Sequence, residues 1–220
     1  YHLALSDTAA NVQADLAAGN GSEILNRIGS LASITLSSGN TITLTESQAV
    51  HAGVASALNA TIGLVTFAVT GVSVGQIGTV FGLSVTGTRV AVADSAANVQ
   101  SDLNGGGVLL AHVGNLSGIT LTDGSTPTLT LSVSTFGTNA GVIALISTAF
   151  NLTISDPAAN VVSDLTGGSS QLVAHAGVLT GIVLTDGGTP ALSLTVAVIA
   201  ASVPALTRIT TPYTITVSDT

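Results

Sequence analysis

The 220-residue chain contains no cysteine, no methionine, no tryptophan and no lysine. Without cysteine there are no disulfides and no thiolate metal sites. Without lysine there is no Schiff-base chemistry, no lysine–asparagine isopeptide crosslink and no polybasic patch. Arg27, Arg89 and Arg208 supply all the fixed positive charge, and the formal net charge is −8. That balance argues against nucleic acid, whose binding rests on Lys and Arg neutralising phosphates. Aromatic residues make up only 3%, so any core must be built from Val, Ile, Leu and Ala. Charged residues make up 6% and hydrophobic residues 46%, a combination that excludes a disordered chain.

A compact monomer of this length is expected to expose roughly 9,000 Å². The three basic and eleven acidic side chains fall well short of the ~25–35% charged surface usual for a soluble domain. Neighbouring copies are therefore expected to cover part of this surface. The longest apolar run, Pro190–Leu206, is 17 residues and contains Pro204. It is short for a membrane span, and it aligns with the far more polar Thr128–Leu145, so no span is expected. A chain that starts at Tyr1 is expected to be processed or an excerpt.

What the chain does have is repetition. SDTAANVQADL (Ser6–Leu16) recurs as ADSAANVQSDL (Ala93–Leu103) and SDPAANVVSDL (Ser155–Leu165), and a fourth copy opens at Ser218. Asp7, Asp94, Asp156 and Asp219 are 87, 62 and 63 residues apart. A second phrase, Ala111–Ser132, matches Ala174–Thr195 at 14 of 22 positions, and Ser30–Thr45 is a looser version. The units are expected at 1–87, 88–149 and 150–212. Residues 213–220 begin a further unit or form an exchanged terminal strand. About 62–87 reads as an inserted half-unit, because VTGVSVGQIGTV is a degenerate copy of the first phrase. The chain opens on YHLALSDT and closes on YTITVSDT. Either the polypeptide continues into another repeat, or the terminal strand of one chain completes the sheet of the next.

Within a unit, Asp7, Asp94 and Asp156 read as helix N-caps, with Pro157 at the first helical position where proline is favoured. Val12 and Leu16, Val99 and Leu103, Val161 and Leu165 form the buried stripe of a short helix. ITLTD and LTLS alternate apolar residues with threonine, which marks strands. The Asp-Gly-Ser-Thr-Pro and Asp-Gly-Gly-Thr-Pro segments are turns between them. Gly141–Ser147 and Gly53–Leu58 read as a second helix, and FNLTIS or YTITVS as a closing strand. An aromatic stands six residues before the aspartate in three of four copies: Tyr1, Phe150 and Tyr213. The fold class is thus an α/β (α+β) repeat protein, with tandem strand–helix–strand–strand–helix units stacked into a rod or solenoid.

Candidate chemistry is sparse. His112 and His175 occupy equivalent positions and His51 lies near a helix. One histidine per unit cannot converge within the ~2.0–2.2 Å a metal centre needs. They read as a repeated polar position at a helix end. Asp15, Asp102 and Asp164 recur like the first aspartates, whereas a catalytic pair normally occurs once. No catalytic residue is assigned and an enzyme is not expected. No cofactor is expected; calcium at the Asp123 or Asp186 turn is the one metal reading the residues allow, with turn stabilisation as its alternative. Asn11, Asn98 and Asn160 sit awkwardly inside a helix and form a candidate polar ladder between repeats.

SDTAANV, followed by ITLTDGGTP and a threonine-alternating strand, resembles the repeats of very large secreted bacterial proteins. These are grouped as adhesin-like, hemolysin-type or β-strand-repeat surface proteins. The resemblance covers nearly the whole chain, most clearly Ser6–Leu16, Ala93–Val133 and Ser155–Val196. It implies stalk, surface-layer or biofilm-matrix material at the cell surface, whose partners are copies of itself or adjacent repeats. The Gly- and Asp-rich nonapeptide calcium repeat often found near such segments is absent. A structural, self-assembling extracellular protein is therefore expected. The alternative is an adhesin-type module that binds a host or glycan surface, although scarce aromatics leave no ring platform for sugar.

Overall fold

The computed structural model describes residues 2–219. Tyr1 and Thr220, which belong to the opening and closing phrases, lie outside the described residues, so the aromatic reading at Tyr1 has no structural counterpart here.

The chain runs β1 (Leu3–Thr8), α1 (Ala9–Ala17), α2 (Glu23–Asn26), β2 (Leu31–Ser38), β3 (Thr41–Thr45), α3 (Glu46–Ala49), α4 (Val54–Asn59) and β4 (Thr61–Ile62). There follow β5 (Thr66–Val72), α5 (Ile77–Gly82), β6 (Thr88–Asp94), α6 (Ala96–Gly105), α7 (Val108–Ala111), β7 (Leu116–Leu121) and β8 (Thr128–Leu131). It finishes with α8 (Val133–Ile143), β9 (Asn151–Asp156), α9 (Ala158–Thr166), α10 (Gln171–Ala174), β10 (Gly181–Leu184), β11 (Ala191–Leu194), α11 (Val196–Leu206) and β12 (Thr214–Val217). Strands alternate with helices, except that β2 and β3, β4 and β5, β7 and β8, and β10 and β11 follow each other directly.

Among the described residues every strand pairing is parallel. This follows from the alternation, because parallel neighbours need a crossover long enough to hold a helix. The chain forms two compact, interleaved units. The first holds a three-stranded sheet in the order β1-β2-β4 and a four-stranded sheet in the order β3-β5-β6-β7. The second holds the sheets β10-β9-β8 and β11-β12. The protein is α/β with several small parallel sheets.

Most of the strands bury one face. In β8, Leu129 and Leu131 are buried between exposed Thr128 and Thr130; in β3, Ile42 and Leu44 alternate with threonines in the same way. The helices that follow the repeated phrase bury Ala9, Val12 and Leu16, then Ala96, Val99 and Leu103, then Ala158, Val161 and Leu165. Each buried Val or Leu contributes about 1.5–3 kcal/mol relative to exposure, which suits a core almost without aromatics.

The Asp-Gly turns join strands that are not paired with each other, and one local expectation is corrected. β7 and β8 belong to different sheets, so the turn carries the chain from one sheet to the next. The second helix does not lie over Gly141–Ser147 but over Val133–Ile143. Ser132 caps it by accepting the Thr135 N–H, and the apolar GVI is only its last turn. The segment that lengthens the first repeat contributes β5 and α5, with β5 paired to β3 on one side and β6 on the other.

The approach of β5 to the start of β6 depends on Gly87. Its φ is +75°, and a Cβ there would lie 2.2 Å from the Val65 carbonyl oxygen. Gly71 also has positive φ, at +70°, but open space around it. Gly71→Ala is expected to cost only the left-handed backbone penalty of about 1–2 kcal/mol. Gly87→Ala should cost clearly more, because backbone must move as well. Urea titration of the two variants checks the order; equal losses would contradict this packing.

Candidate functional site

The residues that recur in the sequence meet in the structure as a set of carboxylates aimed at helix starts. The helix that follows β8 begins at Val133, and its first N–H donates to Asp156 Oδ2 at 2.8 Å. Asp156 ends β9, the strand paired to β8. The same relation recurs twice. Val74, which opens the 3-10 turn after β5, donates to Asp94 Oδ2 at 2.8 Å, and Val196, the first residue of α11, donates to both Asp219 oxygens at 3.2 Å. The turn aspartates act alike on the other helices. Ala96 donates to Asp123 Oδ2 at 2.7 Å and Ala158 to Asp186 Oδ2 at 2.6 Å. A helix start carries unpaired N–H groups and the positive end of the dipole, so a carboxylate there is favoured twice over.

This corrects the N-cap assignment. Asp7, Asp94 and Asp156 are not the caps of the helices they precede. The N-cap residues are Thr8, Ser95 and Pro157, one position later. Thr8 and Ser95 accept the N–H groups of Asn11 and Asn98 through their hydroxyls. Pro157 is the cap itself and not the first helical residue, and the first N–H of α9 goes to Asp186 instead.

The asparagines are corrected as well. Asn11 Nδ2 donates to Asp7 Oδ1 and Asn160 Nδ2 to Asp156 Oδ1, each at 2.7 Å and each within one repeat. At Asn11 and Asn160 the amide is thus spent inside the repeat and not on a ladder between repeats. Their amides hold one carboxylate oxygen, and in Asp156 that leaves the second oxygen directed at Val133. Asn98 donates its backbone N–H to Ser95 Oγ at 3.2 Å.

The second aspartates serve the short helices. Asp164 accepts from Gln171 N at 3.0 Å, Leu172 N at 3.1 Å and Ser170 Oγ at 2.5 Å. Asp102 accepts from Val108 and Leu109 N–H at 2.9 and 3.0 Å. Asp15 accepts from Glu23 N, Ile24 N and the Ser22 hydroxyl. Sequence reasoning missed these short helices; the signal for α2 and α10 was the serine seven or six residues after the aspartate. It also missed Gln13 and Gln100, whose Oε1 atoms accept the Thr43 and Thr130 N–H groups at 2.8 and 2.6 Å.

The histidines are held apart. His112 stacks on Phe81 with ring centroids 4.1 Å apart. His175 meets the edge of Phe136 at 5.4 Å, with Nδ1 3.2 Å from the Gln171 carbonyl. His51 Nε2 lies 3.0 Å from Asn20 Oδ1. At Asp123 and Asp186 one carboxylate oxygen accepts a helix N–H, which is a structural use of the turn. Among the described residues there is no group of three or more His, Cys, Asp or Glu side chains placed to hold a metal ion. A groove of about 610 Å³ is lined by Val133, Thr138, Asp156, Asn160, Asp164 and Gln171. Its two carboxylates are the acceptors already described. Among the described residues no helix is long and apolar enough to cross a membrane.

Comparison of the chain with family models, curated proteins and solved structures gave no match in any of the three.

Two substitutions test the carboxylate clamp. Asp156→Ala removes a buried acceptor and strands both the Val133 N–H and the Asn160 amide, so a loss of about 2–3 kcal/mol is expected. Asn160→Ala, which leaves Val133 capped, should cost about half of that in the same urea titration. At the first repeat, Ser38 occupies the place of Asp123 and Asp186. Ser38→Asp is expected to stabilise by about 0.5–1 kcal/mol by capping Ala9, read as a raised midpoint.

Proposed function

We propose that this chain is structural repeat material of an extracellular bacterial assembly, such as a filament, stalk or surface layer. Its strand–helix units stack on one another into a rod or solenoid, and its partners are further copies or adjacent repeats. The observation that carries this reading is the carboxylate clamp. The helix starts at Val74, Val133 and Val196 are each completed by an aspartate at the end of the strand that follows in the sheet, so at these joints a unit supplies the cap its predecessor lacks. Such a rule has no natural stop, which is the property of repeat arrays whose stability comes from nearest-neighbour interfaces.

Two further features support it. Three basic and eleven acidic side chains serve 10,201 Å² of surface, so large areas of threonine and aliphatic surface are left for a neighbour. The recurring polar residues described above are engaged in backbone caps and strand ends, a use that favours architecture over turnover. The resemblance of SDTAANV and ITLTDGGTP to repeats of secreted surface proteins points the same way, and supports an assembly outside the cell.

The test is assembly of the purified chain. Negative-stain microscopy and sedimentation at rising concentration are expected to show elongated particles that grow by addition. Because contacts of this kind are apolar and backbone in character, about 1 M salt, where the screening length falls to ~3 Å, should not disperse them. Monodisperse monomer across the whole concentration range would refute the reading.

A further inference from the structure

The sheet β8-β9-β10 has one face without a covering layer. Its strands lie side by side in sequence order, so right-handed crossovers put both connections on the same face. α8 crosses from β8 to β9, α9 and α10 cross from β9 to β10, and the three helices pack against one another there. Under them lie Leu129, Leu131, Leu152, Ile154, Ile182 and Leu184, all buried. The other face presents Thr128 and Thr130 from β8, Asn151, Thr153 and Ser155 from β9, and Val183 from β10, and none of these is buried. Register sets them in rows: Thr128 beside Asn151, Thr130 beside Thr153, and Ser155 beside Val183. The sheet β3-β5-β6-β7 is built alike, with Thr45, Thr70, Ala91 and Gly118 in one outward row and none of them buried.

Parallel sheets occur almost only with both faces covered, so this face lacks a layer, and its chemistry narrows what the layer is. No outward residue of β8, β9 or β10 is charged. Arg208, next to the bridge at Ile209 beside β10, spends its Nε on the Ala176 carbonyl at 3.1 Å. The face therefore offers no counter-charge to an ionic partner. Val183 is its one large aliphatic residue, too little to seat the apolar stripe of a helix or a lipid surface. A flat array of threonine, serine and asparagine suits another flat β face about 10 Å away. The same face on a second copy meets those terms, and an uncharged face does not repel itself. Extent decides how the two meet. Three strands ~4.8 Å apart, with four residues each at ~3.3 Å, cover under ~200 Å², against about 800 Å² per partner in a stable interface. One pair of sheets cannot hold two chains, whereas successive sheets in stacked units add their small contacts.

We infer that stacked copies pair side by side, the outward face of β8-β9-β10 in one meeting the same face of another about a two-fold axis. This rests on the stacking reading above and gives the assembly a second, lateral direction.

Thr153, midway along the central strand, tests the joint. Thr153→Arg and Thr153→Asp each set like charge against like charge, so either variant alone should need at least about tenfold more protein to pair while still growing end to end. In negative stain, parent particles are expected to be twice as wide as those of either variant. Particles of the two variants grown separately and then mixed should pair again, which a loss of folding could not produce. Because the chain has no cysteine, Thr153→Cys gives a direct readout. A bis-maleimide spanning about 10 Å, the distance between packed sheets, should link two such chains, whereas Ala159→Cys, exposed on α9, should stay unlinked. Parent particles of single width, or Thr153→Arg particles that pair as the parent does, sink the lateral joint and leave stacking in place. Linked Thr153→Cys pairs without elongated particles keep the joint and sink the stacking. If the parent chain stays monomeric and Thr153→Cys unlinked, both fall.

Discussion

The structure depends on one interaction repeated along the chain: a carboxylate from one strand accepting the first N–H of the helix that leaves the strand beside it. Helix starts are where short helices are weakest. Four N–H groups lack partners there, and helices of 4 to 11 residues, such as α2 and α8, have little internal cooperativity to spare. A local cap satisfies one donor. The cross-strand aspartate satisfies another and joins two crossovers, so that helix formation and strand register become conditions on each other. Slipping β9 by one residue against β8 would carry Asp156 away from Val133 and turn Leu152 and Ile154 outward, because side chains alternate along a strand.

The composition follows from that arrangement. Nearly all the acidic residues are committed to caps, which leaves few charges for the surface. The positions facing away from the core are held by threonine, serine and alanine, which tolerate both solvent and a neighbouring backbone and which, for threonine, favour extended chain. The scarcity of large aromatics fits the thinness of each layer. Buried Val, Ile or Leu residues along the inner strands and on one face of the helices fill it, and among the described residues only Phe67 and Phe136 are fully buried aromatics.

Periodicity was legible in the sequence because it is local. The Val12/Leu16 stripe and the alternation of Leu129 and Leu131 with threonine identify helix and strand without reference to anything distant. The role of the aspartates was not, because their partners lie 20 to 28 residues away in the chain, as with Val74 and Asp94 or Ala158 and Asp186. A single-residue offset then moved the cap from Asp7 to Thr8. The start of α8 was missed for a related reason. The apolar GVIALIS attracted the helix, while the decisive signals were Ser132 and a carboxylate on another strand. The asparagines misled because a polar residue inside a helix suggests an external partner, and the nearest acceptor was in fact one turn back.

The extra strand and helix in the first repeat show how much freedom this rule leaves. Paired residues on successive strands are separated by 21 positions between Phe67 and Thr88 and by 28 between Leu3 and Leu31. The crossover can be a 3-10 turn and one short helix, as in α5, or two helices with two 3-10 turns, as in α1 and α2. Loop length therefore does not set the geometry; strand register and the position of the aspartate after it do. β5 lacks the aspartate, with Thr70-Gly71 in the corresponding stretch, and there the polarity of the bond reverses: Glu46 at the start of α3 accepts the Ser73 N–H at 3.1 Å. A carboxylate still bridges adjacent crossovers, but from the helix toward the strand end. The bridge survives the loss of its usual residue, which indicates that joining neighbours, more than capping any one helix, is what the repeated acidic positions supply.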